Sequence, residues 1–335
     1  WKKLIGIYMK INNKFAIGCL VQWYEIEIIE EYIESLKQAL VQVENSENVI
    51  VDFTLTTNQT LEQISDEIDI NVIRFRFQNM MKDFDIDIQW RVTDDLVTIA
   101  DYRREFNDKY CEEVDVLMWG ETDSLIPKQT FEILDGLHSQ VKEQTPKYTL
   151  FFSTCKMWDD SWKVLEHPEF TDKPFYDKPE EFKPEHWWSL RYTMSVDEMN
   201  SFNDKVEHLD VQVLNQHKFN GCGLVFSSEV VKSGVNIPKS VFFVHEDTAF
   251  MVMIQKVLGM IPQFLIKNIL LVHNRNHPKK RMYVKGESTD GTMNEKRRSN
   301  EWYVKANEMS ERNCYNFLNP KYKSYTWEDV WKKQK

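Results

Sequence analysis

Phe15–Gln22 is an unbroken run of apolar residues with no polar alternation before its last position. A strand of that kind is buried on both faces. An amphipathic segment, Glu25–Val43, follows at once: Ile26, Ile29, Ile33, Leu36 and Leu40 make one stripe, and Glu27, Glu30, Glu31 and Glu34 favour the opposite side. A doubly buried strand feeding an amphipathic helix needs helices on both faces of a parallel sheet. The pattern then repeats. Asn48–Leu55 reads as a second strand, Thr60–Ile68 as a short helix and Phe84–Val92 as a third strand, with Ile86 and Ile88 in alternation. Val97–Glu113 reads as a helix and Val114–Trp119 as a fourth strand. Pro127 opens a helix to about Val141, as an early helical proline does, and Tyr148–Thr154 is a fifth strand. Further on, Thr193–Phe202 and His245–Leu258 read as helices, and Gly221–Ser227 and Phe264–His273 as strands. The expected fold class is α/β: a mainly parallel, Rossmann-like sheet flanked by helices, with right-handed crossovers.

The 335 residues suffice for one large α/β domain or two smaller ones, and 42% hydrophobic residues support a substantial core. A net charge of -11 argues against general nucleic-acid binding, which needs a basic footprint. One local exception runs from 274 to 298. There Arg275, Lys279, Lys280, Arg281, Lys285, Lys296, Arg297 and Arg298 outnumber Glu287, Asp290 and Glu295. It reads either as a solvated loop or as a place where a diphosphate docks. Cys19, Cys111, Cys155, Cys222 and Cys314 include no C-x-x-C pair, which fits a reducing compartment. Cys19 and Cys222 lie in apolar runs and read as small core residues. No apolar stretch reaches the ~18 residues of a membrane span. Leu4–Tyr8 is too short for a secretion signal, and Met9 reads as a natural start after a leader, so cytoplasm is the expected location.

Residues 156–190 differ from the rest. Pro168, Pro174, Pro179 and Pro184 break regular structure, while Trp158, Trp162, Phe170, Trp187 and Trp188 load the segment with aromatics. Long irregular segments of this kind serve as binding loops or pin themselves to the core. Trp158, Trp187 and Trp188 are the candidates for stacking on an acceptor. Residues 276–335 read as a basic loop and a helical tail, with Trp302, Trp327 and Trp331 packing back onto the domain.

Two acidic clusters stand where strands end: Glu121-Thr122-Asp123 after Val116-Leu117-Met118-Trp119, and Glu246-Asp247 after Val241-Phe242-Phe243-Val244-His245. Ligand sites of open α/β sheets lie at the carboxyl ends of strands. Two carboxylate clusters there suit one divalent cation and one general base.

In order along the chain, these motifs resemble the family-2-type glycosyltransferases with the GT-A fold, over residues 9–275. Val21-Gln22-Trp23-Tyr24-Glu25 resembles that family's Pro-x-Tyr-Asn-Glu turn, with Tyr24 and Glu25 matching. Ile50-Val51-Asp52-Phe53 stands at the Val-Asp-Asp-Gly strand, with Asp52 kept and Phe53 in place of the second acid. Ala100 to Asn107, carrying Arg103 and Arg104, resembles the Ala-Arg-Asn helix near the nucleotide. Glu121-Thr122-Asp123 resembles the metal-binding Asp-x-Asp motif. Gly221-Cys222-Gly223 followed by Glu246-Asp247 resembles the Gly-rich acceptor strand and the Glu-Asp helix start. The resemblance implies a metal-dependent transfer of a sugar from a nucleotide sugar to an acceptor hydroxyl, with inversion. It implies donor contacts from Tyr24, Glu25, Asp52, Arg103, Arg104 and Glu121. Asp123 and His273 would hold Mn²⁺ or Mg²⁺, with His277 the next histidine in line. Asp247 would be the base, seconded by Glu246, and Asp52, Asp123 and Asp247 would share one cleft.

The donor implied is a UDP- or GDP-sugar, and the acceptor a glycan or small hydroxyl compound. A second reading, a phage-type enzyme, makes a hydroxymethylated DNA base the acceptor. A nucleotidyltransferase is disfavoured, because Gln22-Trp23-Tyr24-Glu25 is no Gly-rich phosphate loop. A non-catalytic carbohydrate-binding relative is the remaining alternative.

Overall fold

A computed structural model describes residues 9–154, 164–165, 167–169, 194–274, 277, 279–286 and 300–332. The strands are β1 Phe15–Gln22, β2 Val49–Thr56, β3 Gln89–Thr93, β4 Val116–Trp119, β5 Ser124–Leu125, β6 Thr149–Thr154, β7 Val211–Val213, β8 Val225–Ser227 and β9 Gln263–His273. They form one sheet in the order β3-β2-β1-β4-β8-β6-β9-β5, with β7 also paired to β9. The β3-β2-β1-β4 ladder is parallel, and so is the β6–β9 pair. β8 is wedged between β4 and β6 and antiparallel to both. Thus β1, β2, β3, β4, β6 and β9 run in one direction, and β5, β7 and β8 in the other. The sheet is mainly parallel, as the buried apolar runs predict.

The main helices are α1 Ile29–Val41, α2 Ile70–Lys82, α3 Ile99–Tyr110, α4 Thr130–Val141, α5 Val196–Asn203, α6 Ser228–Lys232 and α7 Glu246–Val257. Six of them divide between two cores, one on each face, and α5 packs with Leu270 and Val272 of β9 in a smaller cluster. One core joins the sheet to α1, α2 and α4 through Leu36, Phe77 and Phe131. The other joins it to α3, α6 and α7 through Phe106, Val230 and Phe250. α3 lies directly on β1 because Gly18 has no side chain. A Cβ there would fall 2.5 Å from the Phe106 ring and 2.6 Å from the Tyr102 hydroxyl. Thr98 caps α3 by accepting from the Asp101 amide at 3.2 Å, and Asp101 reciprocates.

Four expectations need correction. Of the expected strand Phe84–Val92 only the part from Gln89 onward is strand, β3, and Val241–His245, ahead of Glu246-Asp247, is irregular backbone rather than a strand. Residues 60–68 form turns and an isolated bridge, Ile64 to Val284, rather than a helix. The helix of this region is α2. Asp69 caps it, accepting from the Asn71 amide at 2.8 Å, and Ile73, Phe77 and Met81 are its buried face. In the run Gly221–Ser227 only Val225–Ser227 is strand, and Gly221–Leu224 is a loop.

After residue 300 the chain forms α8 Glu301–Asn316 and the short α9 Trp327–Trp331. Both pack on Phe242 and Phe243, with Trp302, Tyr303 and Trp327 around them. Ser310 donates to the Val244 carbonyl at 2.5 Å, and Asn313 to the Ser240 carbonyl at 2.7 Å. The tail thereby fixes the segment that leads into Glu246-Asp247. No helix among the described residues is long and apolar enough to cross a membrane.

Candidate active site

β4 ends at Trp119, and the chain turns through Gly120 into Glu121-Thr122-Asp123. β5 then pairs antiparallel with the end of β9 and sets Ser124 opposite His273. The Asn274 amide donates to the Asp123 carbonyl at 2.6 Å. Backbone register thus delivers the histidine to the acidic loop. His273 Nε2 lies 3.3 Å from Glu121 Oε2 and 3.4 Å from Asp123 Oδ1.

Arg103 joins the two acidic clusters. Its side chain is 1% exposed and stands over the Trp119 ring, 4.6 Å from the centroid. Nη1 donates to Glu246 Oε1 at 2.5 Å. Nη2 donates to Glu121 Oε1 at 2.7 Å and to the Gly221 carbonyl at 3.2 Å. The approach requires glycine at 221, where a Cβ would fall 2.4 Å from Nη1. Glu246 returns to Arg103 because His245 adopts φ 68°, a left-handed conformation uncommon outside glycine. Asp247 lies beside Gly221, and its Oδ1 accepts from the Thr248 amide at 2.7 Å.

Lys280 closes the other side. Its ammonium is 2.8 Å from Asp123 Oδ2 and 3.4 Å from Glu25 Oε1. The Arg281 amide donates to the Tyr24 carbonyl at 3.0 Å, and the buried Arg281 guanidinium lies 5.0 Å from the Tyr24 ring centroid. So Glu25 reaches the cluster, whereas Tyr24 is buried beneath Arg281. This part of the basic segment is neither a solvated loop nor remote from the acids.

The electrostatics follow from these contacts. Burial acts to raise the Asp123 carboxyl, but Lys280 and His273 outweigh it and hold the group far below the ordinary aspartate range. Burial likewise opposes Arg103 and His273 at Glu121, which still ends below its ordinary value. At Glu246 burial wins. It pushes the carboxyl up to about 7 against Arg103, with the Asp247 charge adding to the rise. Burial works against the Lys280 ammonium, yet Asp123 and Glu25 keep it charged well above the usual lysine range.

Other expected site residues lie elsewhere. Asp52 is in the middle of β2, level with Gly18, not at the strand's carboxyl end. It accepts from Tyr102 at 2.9 Å, Tyr110 at 2.5 Å and Lys109 at 3.0 Å, in a separate recess lined also by Gln89, Arg91 and Glu105. No hydrogen bond or ion pair among the described residues links it to Asp123 or Asp247. Asp52 is thus engaged by the α3 side chains Tyr102, Lys109 and Tyr110, and β2 continues four residues past it to Thr56. Arg104 points away from the cluster. It donates to the Ile237, Pro238 and Val241 carbonyls and so ties that loop to α3. His277 meets Glu31 instead, with Nε2 3.5 Å from Oε1. Trp158, Trp187 and Trp188 lie outside the described residues.

Two residues join the cluster without having been expected there. Lys280 is one of a run of cations, and nothing in the run marks it out. Cys222 reads as core, and it is buried, but its Sγ and donor atoms of Glu121 and His273 all lie within 4.8 Å of one another. Its one sequence signal is the flanking pair Gly221 and Gly223.

No family model matches the chain, and no curated protein matches it in sequence. Among solved structures it is similar to a mycobacterial protein at 9% identity, with a TM-score of 0.40 over 89% of this chain and 75% of that one. It is also similar to HddC from Yersinia pseudotuberculosis at 8% identity, with a TM-score of 0.25 over 41% of this chain and 57% of that one. Any functional reading accordingly rests on the site itself.

Proposed function

We propose that the chain is a metal-dependent glycosyltransferase of the GT-A type, moving a sugar from a nucleotide-sugar donor to an acceptor hydroxyl with inversion. The observation that carries this reading is the shared Arg103, which unites a carboxylate–histidine cluster and a second carboxylate pair at one end of the sheet. The donor set suits a divalent ion. Glu121 and Asp123 each offer an oxygen 3.3–3.4 Å from His273 Nε2, close to the roughly 3.3 Å between two donors that share a cation at about 2.0 Å. When bound, such a cation stabilises charge on the departing diphosphate.

The chain's own groups divide the remaining work. Asp247, only partly buried, takes the acceptor hydroxyl proton. The acceptor oxygen then forms its bond to the anomeric carbon as the carbon–oxygen bond to the diphosphate breaks, and the nucleoside diphosphate leaves with that electron pair. Glu246 and Glu121 hold Arg103, and Arg103 holds the Gly221 loop beside Asp247. Lys280 places a fixed positive charge beside Asp123, on the side where the diphosphate would lie. Glu25 anchors that lysine. The donor class is a UDP- or GDP-sugar, and the acceptor class a glycan or small hydroxyl compound.

The test is a panel of nucleotide sugars incubated with the full chain and a divalent cation, reading nucleoside diphosphate release and sugar transfer to simple glycan acceptors. Release from one donor class, abolished by chelation, supports the reading. The absence of release or hydrolysis from every donor contradicts it.

A further inference from the structure

The hard-cation expectation drawn from Glu121 and Asp123 leaves out Cys222. The loop that carries it is held from two directions. On one side the Gly221 carbonyl accepts from Arg103, which also holds Glu121. On the other, Gly223 sits at φ 63° with the Leu271 side chain 2.5 Å from where its Cβ would be, and Leu271 is on β9, two positions before His273. The Cys222 amide itself donates to Asn220 Oδ1 at 3.3 Å. Cys222 is therefore positioned through the same two elements that supply Glu121 and His273, and their donor atoms converge within 4.8 Å.

We infer that the metal centre is built from Glu121, Cys222 and His273 together, and that it selects a thiophilic, zinc-class ion over Mg²⁺. A sulfur, an imidazole nitrogen and a carboxylate oxygen form the donor set of zinc and cobalt sites. Mg²⁺ needs six near-octahedral oxygens and gains little from a thiolate. Asp123 adds a fourth donor: Oδ1 is 3.4 Å from His273 Nε2, while Oδ2 is engaged by Lys280. Binding releases the Cys222 thiol proton to solvent, so occupancy falls with acidity. The inference rests on reading this cluster as a metal centre and not on sugar transfer.

The experiment uses the full chain, stripped of metal by chelation and titrated with Co²⁺ and no nucleotide. The expected result is a near-ultraviolet thiolate-to-cobalt charge-transfer band that Zn²⁺ bleaches at stoichiometric concentration and that excess Mg²⁺ leaves intact. Cys222→Ser should lose the band and weaken Co²⁺ binding by roughly 100-fold or more, the upper end of what even indirect metal partners contribute. Cys111→Ser, which alters a buried cysteine at the end of α3, should keep it. Should Cys222→Ser fail to fold, His273→Ala decides the matter, since loss of that nitrogen ligand must weaken Co²⁺ binding as read from the same band. Co²⁺ bound without a charge-transfer band, a band that survives in Cys222→Ser, or an unchanged Co²⁺ affinity in His273→Ala overturns the inference. A result of either kind is independent of the donor panel, which alone decides whether sugar is transferred.

Discussion

Arg103 and Glu246 meet at 2.5 Å with both side chains withdrawn from water, 1% and 9% exposed. Helix α3 thereby clamps the first turn of α7, and the second carboxylate of the same arginine, Glu121, belongs to the other acidic cluster. A buried pair of this type contributes little against a well-packed apolar substitute, but breaking it leaves charge stranded.

Arg103→Met should therefore destabilise the fold by about 3–5 kcal/mol, because Glu246 and Glu121 stay buried without their cation. Denaturant unfolding measures it. Arg103→Met combined with Glu246→Gln should recover part of the loss, since one stranded charge is gone. A single-variant effect below about 1 kcal/mol would show that the two carboxylates find other partners.

Glu246 gives the stability curve a definite sign. Its carboxyl titrates near 7 in the folded chain against 4.5 for the ordinary group, so between those values the native state holds the extra proton. Stability contributed at this position must fall as pH rises from the lower value to the upper and then level off. The fall amounts to at most about 3.5 kcal/mol, at ~1.4 kcal/mol per pH unit. Metal-free wild type compared with Glu246→Gln across that range isolates it. Parallel curves would mean that Arg103 holds Glu246 ionised throughout.

Nucleotide and metal should bind together. Asp123→Ala should abolish the rise in melting temperature that a nucleoside diphosphate gives in the presence of Mn²⁺, and His273→Ala should reduce it. An equal rise in wild type and Asp123→Ala would remove Asp123 from the ligand set.

Much of the fold was legible in the sequence because most strands are buried on both faces. Phe15–Gln22 has the predicted limits as β1, and Phe264–His273 differs from β9 by one residue. Helix α2 was missed for a physical reason. Its sequence, Ile70–Lys82, scatters apolar residues around the helix, with Val72 and Phe75 exposed, so the buried face of Ile73, Phe77 and Met81 behind an aspartate cap does not stand out as a stripe. Glu121, Asp123, Glu246 and Asp247 could be picked out because acids directly after apolar runs are visible in one dimension, although only the first run, Val116–Trp119, is a strand. Lys280, Cys222 and the α3 partners of Asp52 could not. They depend on which loop returns to which strand end, and on which face of α3 lies on β2. Arg103 and Arg104 are adjacent and chemically alike, and only the helical phase of α3 assigns one to the cluster and the other to the 237–241 loop.

Asp247→Asn tests the central claim most directly, with kcat for sugar transfer read beside donor Kd on the same protein. Asparagine keeps the shape and can still accept from the Thr248 amide, as the aspartate does at 2.7 Å. It cannot take a proton at neutral pH. The expected result is unchanged donor Kd and a kcat lower by ~10²–10⁴-fold. Near-normal kcat in Asp247→Asn would contradict the account and leave Asp247 as the opening residue of a helix.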